Sequence, residues 1–567
     1  MRKVLLYICS VFILGGMTSC EDFLDKREDV GLTEDDIFRD YYSLRGFLDQ
    51  SFNQLENVMV MDNWENGRAF VGLFADEMAT TDNSSAVFTL HSGNWLSNAK
   101  SNKTFEIGNA GSTAISRSYK ALRINNRIIN DIDKAPLTPE QKNEILGQAY
   151  FYRSWFYFQI IKRYGGMPII DKVFEGGDDD IPRMTYHESH DWMMEDIQKA
   201  IYMLPDSWDD PNYGRPTKIA AMALKEWAQL FDASPLMQND LNSTENKGYD
   251  TERAKSAAKS AYEVIRYMDG SKSAPYPYGL ASKEEYTNVF YFKYPPVHQP
   301  EYIWVKRQFP NAANQNQKRT IRTFWQYEDL AFGSGPDGNS MCCPSLNIVN
   351  MFDKKGADGI YYPIDDPRSG YALDYDHKPF EDRDPRFYNN ILLPGTTWGH
   401  YADGRTYYIT TYKGGAAYQH MLTQKDCNKR MFTGFMCKKF MWPECNQYLE
   451  KNNPNCWWDY RFLTIYIRAS QIYLDYAEAL FEGCGSATAT IEGCPISAAE
   501  AINILRRRIG LTDLPSDIVA DPDKFRAAYR RERAVELMFE NHRWWDIRRW
   551  MILEETFKDT YPIKGAL

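Results

Sequence analysis

The chain has 567 residues and a formal net charge of −11. This acidic balance argues against a nucleic-acid partner, which requires a basic face, and weakly disfavours a polyanionic ligand. Hydrophobic content is 43%, as in soluble globular proteins, and the length allows a large buried core. Aromatic residues reach 15% of the chain and include 38 Tyr, most of which we expect in the core.

The N-terminus has the pattern of a targeting segment. Arg2 and Lys3 precede the apolar run Val4–Leu14, which is too short to span a bilayer. Small residues then lead to Cys20, as in a lipobox, with Met where Leu is commoner. We therefore predict a signal peptide over 1–19 and lipidation of Cys20, so that the mature chain is anchored to a membrane rather than spanning it. The alternative is an ordinary signal peptide.

The mature chain begins with helical and irregular segments. Thr33–Asn53 is a predicted helix with Thr33 as its N-cap. The segment 56–111 that follows is rich in Asn, Ser, Thr and Gly, which is typical of loops.

Long amphipathic or apolar helices come next, in pairs joined by short turns. The predicted helices are Ser112–Lys134, Gln148–Tyr164, Tyr186–Leu204, Thr217–Leu230 and Thr251–Met268, and a start signal at Thr138-Pro139-Glu140 precedes the second. Helix pairs without intervening strands are typical of a TPR-like solenoid, although no 34-residue period is visible. The predicted fold is mainly α, a TPR-like scaffold of helical pairs with long irregular loops and a few short strands packed on one face.

The character of the chain changes between residues 270 and 455, where Pro, Gly, Asn and aromatic residues are dense. Short strands are predicted at Tyr302–Val305 and Tyr407–Tyr412. An excursion of this length is not a structureless loop in a compact fold, so we expect it to pack on one face of the scaffold. Loops held by a rigid frame are where recognition usually occurs.

The stretch Arg530–Trp550 is dense in arginines, carboxylates and tryptophans at helical spacing, and Pro522 precedes it. Its apolar stripe predicts a C-terminal helix pair that closes the fold rather than a ligand contact. The residues match the pattern R-R-E-R-x-x-E-L-x-x-E-x-x-R-x-x-D-x-x-R-W, which resembles the C-terminal signature of the SusD/RagB family. Asn541-His542 departs from it, since the family often has a Gly there.

Other stretches are also similar to that family: Ala121–Asp133, Gly147–Pro168, Gly214–Pro235, Ile467–Glu482 and Ser497–Gly510. The resemblance implies a surface lipoprotein of Bacteroidetes that binds nutrients, usually glycans, on a right-handed scaffold of four helix pairs. It implies a partner, a TonB-dependent outer-membrane transporter of the SusC type. The acidic run Glu21–Asp25 resembles the signal that exports such lipoproteins to the cell surface. The family's two regions would cover 20–235 and 236–567 and form one compact unit.

The sequence offers no strong signal for catalysis, a metal or a cofactor. In His187-Glu188-Ser189-His190 the second histidine lies at i+3, whereas the zinc-protease motif needs i+4. Asp178–Asp180 fits no standard Ca²⁺ loop, so we predict a solvated acidic turn. No nucleophile elbow, P-loop or dinucleotide motif occurs. We predict neither catalytic residues nor metal ligands nor a cofactor; a hydrolase that uses undetected carboxylates remains the rival class.

Binding is the function that remains, and a sugar site combines an exposed aromatic platform with polar groups at its rim. The irregular segments hold several such sets, which are Trp95 with Asn98, Trp64 with Arg68, Trp325 with Tyr327, and Trp398 with Tyr401. The W-x-x-N arrangement of the first set is similar to the sugar-contacting loop of the starch-binding founder of the family. For each Trp the alternative is local packing that holds a long loop in place.

Eight cysteines remain after Cys9 and Cys20 are assigned to the targeting segment. Local spacing makes three disulfides plausible: Cys427–Cys437, Cys445–Cys456 and Cys484–Cys494. For the adjacent Cys342 and Cys343 we expect two free thiols rather than a vicinal disulfide.

Together these patterns predict a cell-surface lipoprotein of the outer membrane that binds oligosaccharide without altering it and delivers it to the transporter. Alternatives are a peptide-binding protein of the RagB branch, the glycan hydrolase mentioned above, and a scaffold protein without a ligand of its own.

Overall fold

The computed structural model describes residues 33–55, 71–79, 114–174, 180–239, 245–291, 298–307, 343–373, 376–400, 406–410, 412–415, 433–440 and 463–558. The α-helices of this described part are α1 (Glu34–Ile37), α2 (Tyr41–Gln54), α3 (Ala114–Asp131), α4 (Pro139–Tyr164), α5 (Tyr186–Met203), α6 (Lys218–Ala233), α7 (Thr251–Gly270), α8 (Leu346–Met351), α9 (Pro385–Asn390), α10 (Ala469–Cys484), α11 (Ala498–Ile509), α12 (Ser516–Ala520), α13 (Pro522–Glu536), α14 (Arg543–Arg549) and α15 (Leu553–Lys558).

Short strands accompany the helices and pair only two by two within the described residues. They are β1 (Met78–Ala79), β2 (Tyr302–Arg307), β3 (Cys343–Pro344), β4 (Lys354–Lys355), β5 (Tyr361–Tyr362), β6 (Ile391–Leu392), β7 (Thr397–His400), β8 (Thr406–Tyr408), β9 (Met436–Cys437) and β10 (Leu463–Arg468). The antiparallel pairs are β1–β3, β2–β10, β4–β5, β6–β9 and β7–β8.

The long helices form a continuous scaffold because each packs on the next. Contacts run from α2 through α3, α4, α5 and α6 to α7; α10, which follows the long excursion, then packs on α7, and α11 packs on α10. The predicted mainly α fold of helical pairs with short strands is therefore confirmed. The described residues of the excursion between α7 and α10 form short helices and short strands.

Helix α4 shows how local sequence sets both ends of an element. Thr138 and Gln141 form a reciprocal capping box, and Pro139 occupies the first turn, where its missing N–H is not needed. Gly165 ends the helix at φ 79°, a conformation open mainly to glycine. The start signal predicted at Thr138-Pro139-Glu140 and the predicted last residue, Tyr164, are both confirmed.

The single helix predicted over Thr33–Asn53 is wrong, because the chain forms two helices there. Thr33 caps α1 as expected, but α1 ends at Ile37. Asp40 then acts as a second N-cap, with its side chain accepting a hydrogen bond from the Ser43 N–H. The apolar stripe of the sequence continues through the break, so periodicity alone does not reveal it.

An aromatic cluster joins the helices to the β2–β10 ribbon. The Trp155 ring on α4 lies 4.7 Å from the Trp304 ring on β2 and 5.2 Å from the Tyr466 ring on β10, centroid to centroid. Phe151, one turn earlier on α4, contacts Trp304 edge to face at 4.8 Å. Such pairs add stability beyond the apolar area they bury, so this cluster fixes β2 on the scaffold.

A second feature of the core is buried charge. Arg468, at the end of β10, donates hydrogen bonds to Glu301 at 2.7 Å, to Glu536 at 2.9 Å and to Glu540 at 2.7 Å. Further buried members of this Arg468 cluster are Asp384, Arg386, Lys439, Arg508 and Glu532. Burial alone would raise the pKa of Glu536, but the surrounding arginines, chiefly Arg508 and Arg468, hold it well below its usual value.

The Arg549 cluster lies between α10, α13 and α14. Arg549 pairs with Glu478 and Asp546, and Arg533 pairs with Asp546 and Asp475. These side chains are buried. The C-terminal signature stretch therefore forms the closing helix pair that was predicted, with its charges directed inward.

The structure corrects two of the predicted disulfides. Cys484 and Cys494 both carry free thiols, so the Cys484–Cys494 bond is not formed. The Cys437 sulfur lies 3.5 Å from the Lys439 carbonyl oxygen in the geometry of a thiol donor, so the Cys427–Cys437 bond is not formed either. Cys445 and Cys456 lie outside the described residues, as do Cys342 and Cys427.

The Arg549 cluster predicts a large effect for one substitution. Arg549→Met leaves Glu478 and Asp546 buried with less compensation, and such a loss costs about 3–5 kcal/mol. We expect a decrease of that size in the free energy of unfolding, measured by urea denaturation. The control is Arg507→Met, which removes a surface pair with Glu500 and should cost about 0–1 kcal/mol. Equal losses in the two variants would contradict the role assigned to the cluster.

Candidate functional site

The predicted ligand residues fall almost entirely outside the described part of the chain. Those outside it are Trp64, Arg68, Trp95, Asn98, Trp325, Tyr327 and Tyr401, and Cys20 also lies outside. Trp398 belongs to β7, but its side chain is not among those described. All of these assignments stay predictions. The described residues do show where the segments that carry them join the scaffold.

Two of these segments attach at a point where α2 meets β2. The segment 56–70, which carries Trp64 and Arg68, follows Leu55. The segment 308–342, which carries Trp325 and Tyr327, follows β2. The Nζ of Lys306 on β2 donates a hydrogen bond to the Leu55 carbonyl oxygen at 3.0 Å, so the two segments leave the scaffold from directly bonded residues.

The third segment, 80–113, joins the scaffold close to the residue at which segment 308–342 ends. Residues 80–113, with Trp95 and Asn98, follow β1, and β3 begins where 308–342 ends. The two strands pair antiparallel, with Ala79 opposite Cys343. The segments that carry the Trp64, Trp95 and Trp325 sets therefore begin or end at two bonded points of the frame, a proximity that sequence alone did not indicate.

Lys306 occupies an unusual environment at the first of these points. Its ammonium lies 5.2 Å from the centre of the Phe52 ring, within cation–π distance. Burial, aided by the positive charge of Arg117, lowers the pKa of Lys306 to about 8. The ammonium thus holds the Leu55 carbonyl with little charge compensation from the described residues.

Residues of the C-terminal signature Arg530–Trp550 contact the chain next to the second of these attachment points, the β1–β3 pair. Arg543 donates through Nε to Asp76 Oδ1 at 2.8 Å and through Nη2 to Asp76 Oδ2 at 3.0 Å. This bidentate pair is buried, and it joins α14 to the segment immediately before β1. The N–H of Phe539 also donates to Glu77 Oε2 at 3.1 Å. Hydrogen bonds therefore join the α13–α14 helix pair to the residues just before β1, from which segment 80–113 begins.

The turn between α13 and α14 provides that N–H group. Phe539 and Asn541 both adopt the left-handed conformation, with φ of 64° and 67°. Asn tolerates this conformation better than most residues other than glycine. This explains how Asn541 serves where the family pattern often has a Gly, the departure noted in the sequence.

Ser345 adds a third connection at the loop base. Its N–H donates to the Glu77 carbonyl oxygen at 3.1 Å, and its hydroxyl donates to the Asp76 carbonyl oxygen. The Phe74 and Trp544 rings pack nearby, with centroids 5.7 Å apart. The backbone on both sides of β1 and β3 is therefore fixed by hydrogen bonds and aromatic packing.

Glu77, which lies just before β1, has a strongly shifted pKa. Burial, with a contribution from the adjacent Asp76 carboxylate, raises the pKa of Glu77 to about 8, in spite of the hydrogen bond from Phe539. The carboxyl is therefore neutral in the folded protein at pH 7. The sequence showed only that Asp76 and Glu77 are adjacent carboxylates; the burial of Glu77 and the pairing of Asp76 with Arg543, which is distant in the chain, depend on the fold.

The β7–β8 hairpin carries exposed aromatic rings that the sequence analysis did not single out. Tyr408 lies opposite Thr397, beside Trp398, and is 47% exposed, while Tyr412 is 46% exposed. Both fall within the predicted strand Tyr407–Tyr412, but β8 covers Thr406–Tyr408, so Tyr412 lies beyond the strand. They are additional candidates for a ligand platform.

The histidines of α5 take part in an ion-pair group. His187 Nδ1 lies 2.6 Å from Asp232 Oδ1, and His190 Nδ1 contacts Asp191 at 3.1 Å and Asp232 at 3.4 Å. These ligand types are suitable for a metal ion. However, Arg253 also pairs with Asp232, and its fixed positive charge opposes a cation at that carboxylate. Thr185 is the N-cap of α5, and Glu188 forms a reciprocal capping box with it.

Comparisons with known proteins identify the family. A sequence model described as "SusD family" matches residues 300–565, and one described as "Starch-binding associating with outer membrane" matches residues 22–226. The chain belongs to the SusD family. The resemblance predicted from the C-terminal signature is thereby confirmed, and the signature falls within the first match. No curated protein matches the chain significantly.

Solved structures support the SusD fold. A SusD-like protein from Bacteroides fragilis aligns with a TM-score of 0.66 at 23% identity over 92% of this chain and 88% of its own. A laminarin-binding SusD-like protein aligns with a TM-score of 0.54 at 18% identity over 92% of both chains. A structure with xylogluco-oligosaccharide aligns with a TM-score of 0.57 at 17% identity over 90% of this chain and 84% of that one. Within the described residues, no helix combines the length and apolarity needed to cross a bilayer.

The buried state of Glu77 predicts a pH-dependent effect of Glu77→Gln. In the unfolded chain Glu77 ionises near its ordinary value of 4.5, but in the folded chain only near 8. The wild type therefore loses stability relative to the variant as pH rises through this window, by up to about 1.4 kcal/mol per pH unit. Urea unfolding of both proteins at pH 5, 6.5 and 8 measures the difference. A difference that is constant with pH would contradict the buried neutral carboxyl.

Proposed function

We propose that this SusD-family protein is a cell-surface lipoprotein that binds an oligosaccharide, does not alter it, and delivers it to a SusC-type TonB-dependent outer-membrane transporter. The observation that carries the proposal is the common attachment of the segments that bear the Trp64, Trp95 and Trp325 sets. The bonds Lys306–Leu55 and Ala79–Cys343 join their bases on a rigid helical scaffold. Loops that start from joined points can present several aromatic platforms to one ligand.

The chemistry of these segments suits a glycan. Sugar rings present apolar C–H faces that pack on aromatic rings, and their hydroxyls bond to polar rims. Trp95 with Asn98 offers both groups three residues apart, and Trp325 with Tyr327 offers two aromatic platforms. The neighbours described as binding laminarin and as solved with xylogluco-oligosaccharide share the fold, which supports the glycan class.

The membrane anchor and the transporter complete the proposal. Cys20 follows a lipobox-like sequence, and the family description includes association with the outer membrane. A lipid-anchored binder at the mouth of a transporter holds its ligand at high effective concentration there. Modest affinity of the isolated protein is therefore sufficient for delivery.

The central test is glycan binding by the mature protein. Laminari-, xylogluco- and malto-oligosaccharides, with a peptide panel in parallel, are titrated by calorimetry. We expect glycan binding, and a decrease in affinity of about tenfold or more for Trp95→Ala and Trp325→Ala at unchanged melting temperature. The control is Tyr202→Ala, which removes an aromatic ring that is 84% exposed on α5.

Each contrary outcome of this test rejects a defined part of the proposal. Binding of peptides without glycans would replace oligosaccharide by peptide as the ligand. Release of shortened products from the glycans would show an enzyme. Unchanged glycan affinity in both tryptophan variants would remove the assignment of these loops to the site.

The lipid anchor has its own test. Cys20→Ser removes the thiol that would carry the lipid, so the variant should lose labelling by a palmitate analogue. It should also move from the outer-membrane fraction to the soluble fraction. A labelled, membrane-bound Cys20→Ser protein would contradict lipidation at this residue.

A further inference from the structure

A cavity of about 340 Å³ lies beside β2, apart from the ion-pair clusters. Its walls come from the connection 205–217 between α5 and α6 and from the chain on both sides of segment 292–297. Aromatic side chains dominate the lining; they are Trp208, Tyr213, Tyr276, Tyr278, His298 and Trp304. None of these residues was selected from the sequence.

The polar atoms of these rings are bonded to the protein around the cavity. Trp208 donates through Nε1 to the Pro216 carbonyl oxygen at 2.8 Å. Trp304 donates in the same way to the Gly214 carbonyl oxygen at 3.2 Å. These bonds fix the indoles, so their apolar surfaces line a preformed space. Preformed sites bind with a smaller loss of conformational entropy.

A stack of rings forms one wall. The His298 ring lies parallel to the Tyr276 ring, with centroids 3.8 Å apart, and edge to face with Tyr213 at 4.2 Å. The Tyr276 hydroxyl donates to Asp210 at 3.2 Å, and His298 Nε2 contacts the same carboxylate at 3.3 Å. The wall is thus held by one exposed acidic residue and is only partly buried, so it is accessible to a ligand.

Polar side chains supply the hydrogen-bonding capacity that an apolar ligand would not need. Ser207, Gln299 and Glu285 line the cavity, and the described residues give their side chains no hydrogen-bond partner. The charge of Arg215 is compensated, because Arg215 holds Asp49 in a bidentate pair at 2.6 and 2.8 Å. Asp210 at the rim adds a negative charge, so the described lining does not favour an anion. Aromatic faces with free hydroxyl, amide and carboxylate groups fit a neutral sugar.

Size and position sharpen this assignment. The volume is near the lower end of the range for ligand pockets, roughly 300–1,000 Å³, which suits one or two sugar units rather than a long chain. Trp304 and Val305 line the cavity, and the next residue of β2, Lys306, bonds to Leu55 at the base of segment 56–70. Beyond β2 the chain enters segment 308–342 directly. The cavity therefore lies within a few residues of the loops assigned to ligand binding.

We propose that this cavity is a second saccharide subsite, which holds one or two neutral sugar units of the glycan class that the loops bind. The inference rests on the proposed glycan-binding function and adds a location to it. Tyr276 and His298 form its stacking wall, and Gln299 and Ser207 provide hydrogen bonds to sugar hydroxyls.

Calorimetry and saturation-transfer NMR with laminari- and xylogluco-oligosaccharides test the subsite on the full mature chain. Tyr276→Ala removes the stacking ring and should weaken binding by roughly three- to tenfold. Ser207→Trp fills the cavity from an exposed position and should give a similar loss without removing any core side chain. Tyr202→Ala serves as the control, and melting temperatures verify that each variant is folded.

The outcomes separate this inference from the proposed function. Weaker binding in both Tyr276→Ala and Ser207→Trp supports the subsite, whatever the loop variants Trp95→Ala and Trp325→Ala show. Wild-type affinity in both cavity variants, with binding lost in the loop variants, overturns the subsite alone. If the wild-type protein binds no oligosaccharide, the subsite and the proposed function are both overturned.

Discussion

The buried Arg468 is the interaction on which most of this structure depends. An arginine taken out of water is tolerated only if carboxylates and hydrogen bonds surround it, and its partners Glu301, Glu536 and Glu540 come from distant parts of the chain. Three parts of the chain must therefore meet at one place: β10, the residue before β2, and the C-terminal end of α13. Charge compensation thus restricts how the C-terminal half can close on the scaffold.

A buried charge pair also fixes the chain next to the candidate site. Arg543 belongs to the C-terminal signature, yet its partner Asp76 lies at the base of the segment that carries Trp95. The neighbouring Glu77 has a raised pKa, because it is buried beside the Asp76 carboxylate. The signature residues thus fix the backbone from which the proposed binding loops begin, and under the proposed function they would support recognition without contacting ligand.

The helical half was predictable because its signals are local. Caps such as Thr138 and stops such as Gly165 lie within one turn of the ends they set, and apolar periodicity places the helices between them. The second cap at Asp40 is also local, but the stripe that runs through it conceals the break. The contacts Lys306–Leu55 and Ala79–Cys343 depend instead on how distant segments pack, which no spacing in the sequence encodes. The cavity at Tyr276 and His298 was missed for the same reason, since its walls come from separate connections.

The proposed delivery of a ligand to a transporter requires selectivity without very slow release. The aromatic platforms proposed for loops with joined bases would meet both needs. Lys306 and the β1–β3 pair fix the points from which the proposed binding loops begin. In the proposed function each platform would contribute only a modest stacking energy, so that affinity would arise from several contacts that can be released one after another. A preformed cavity beside β2 fits this scheme, because it can retain one end of the glycan while the loops release the rest.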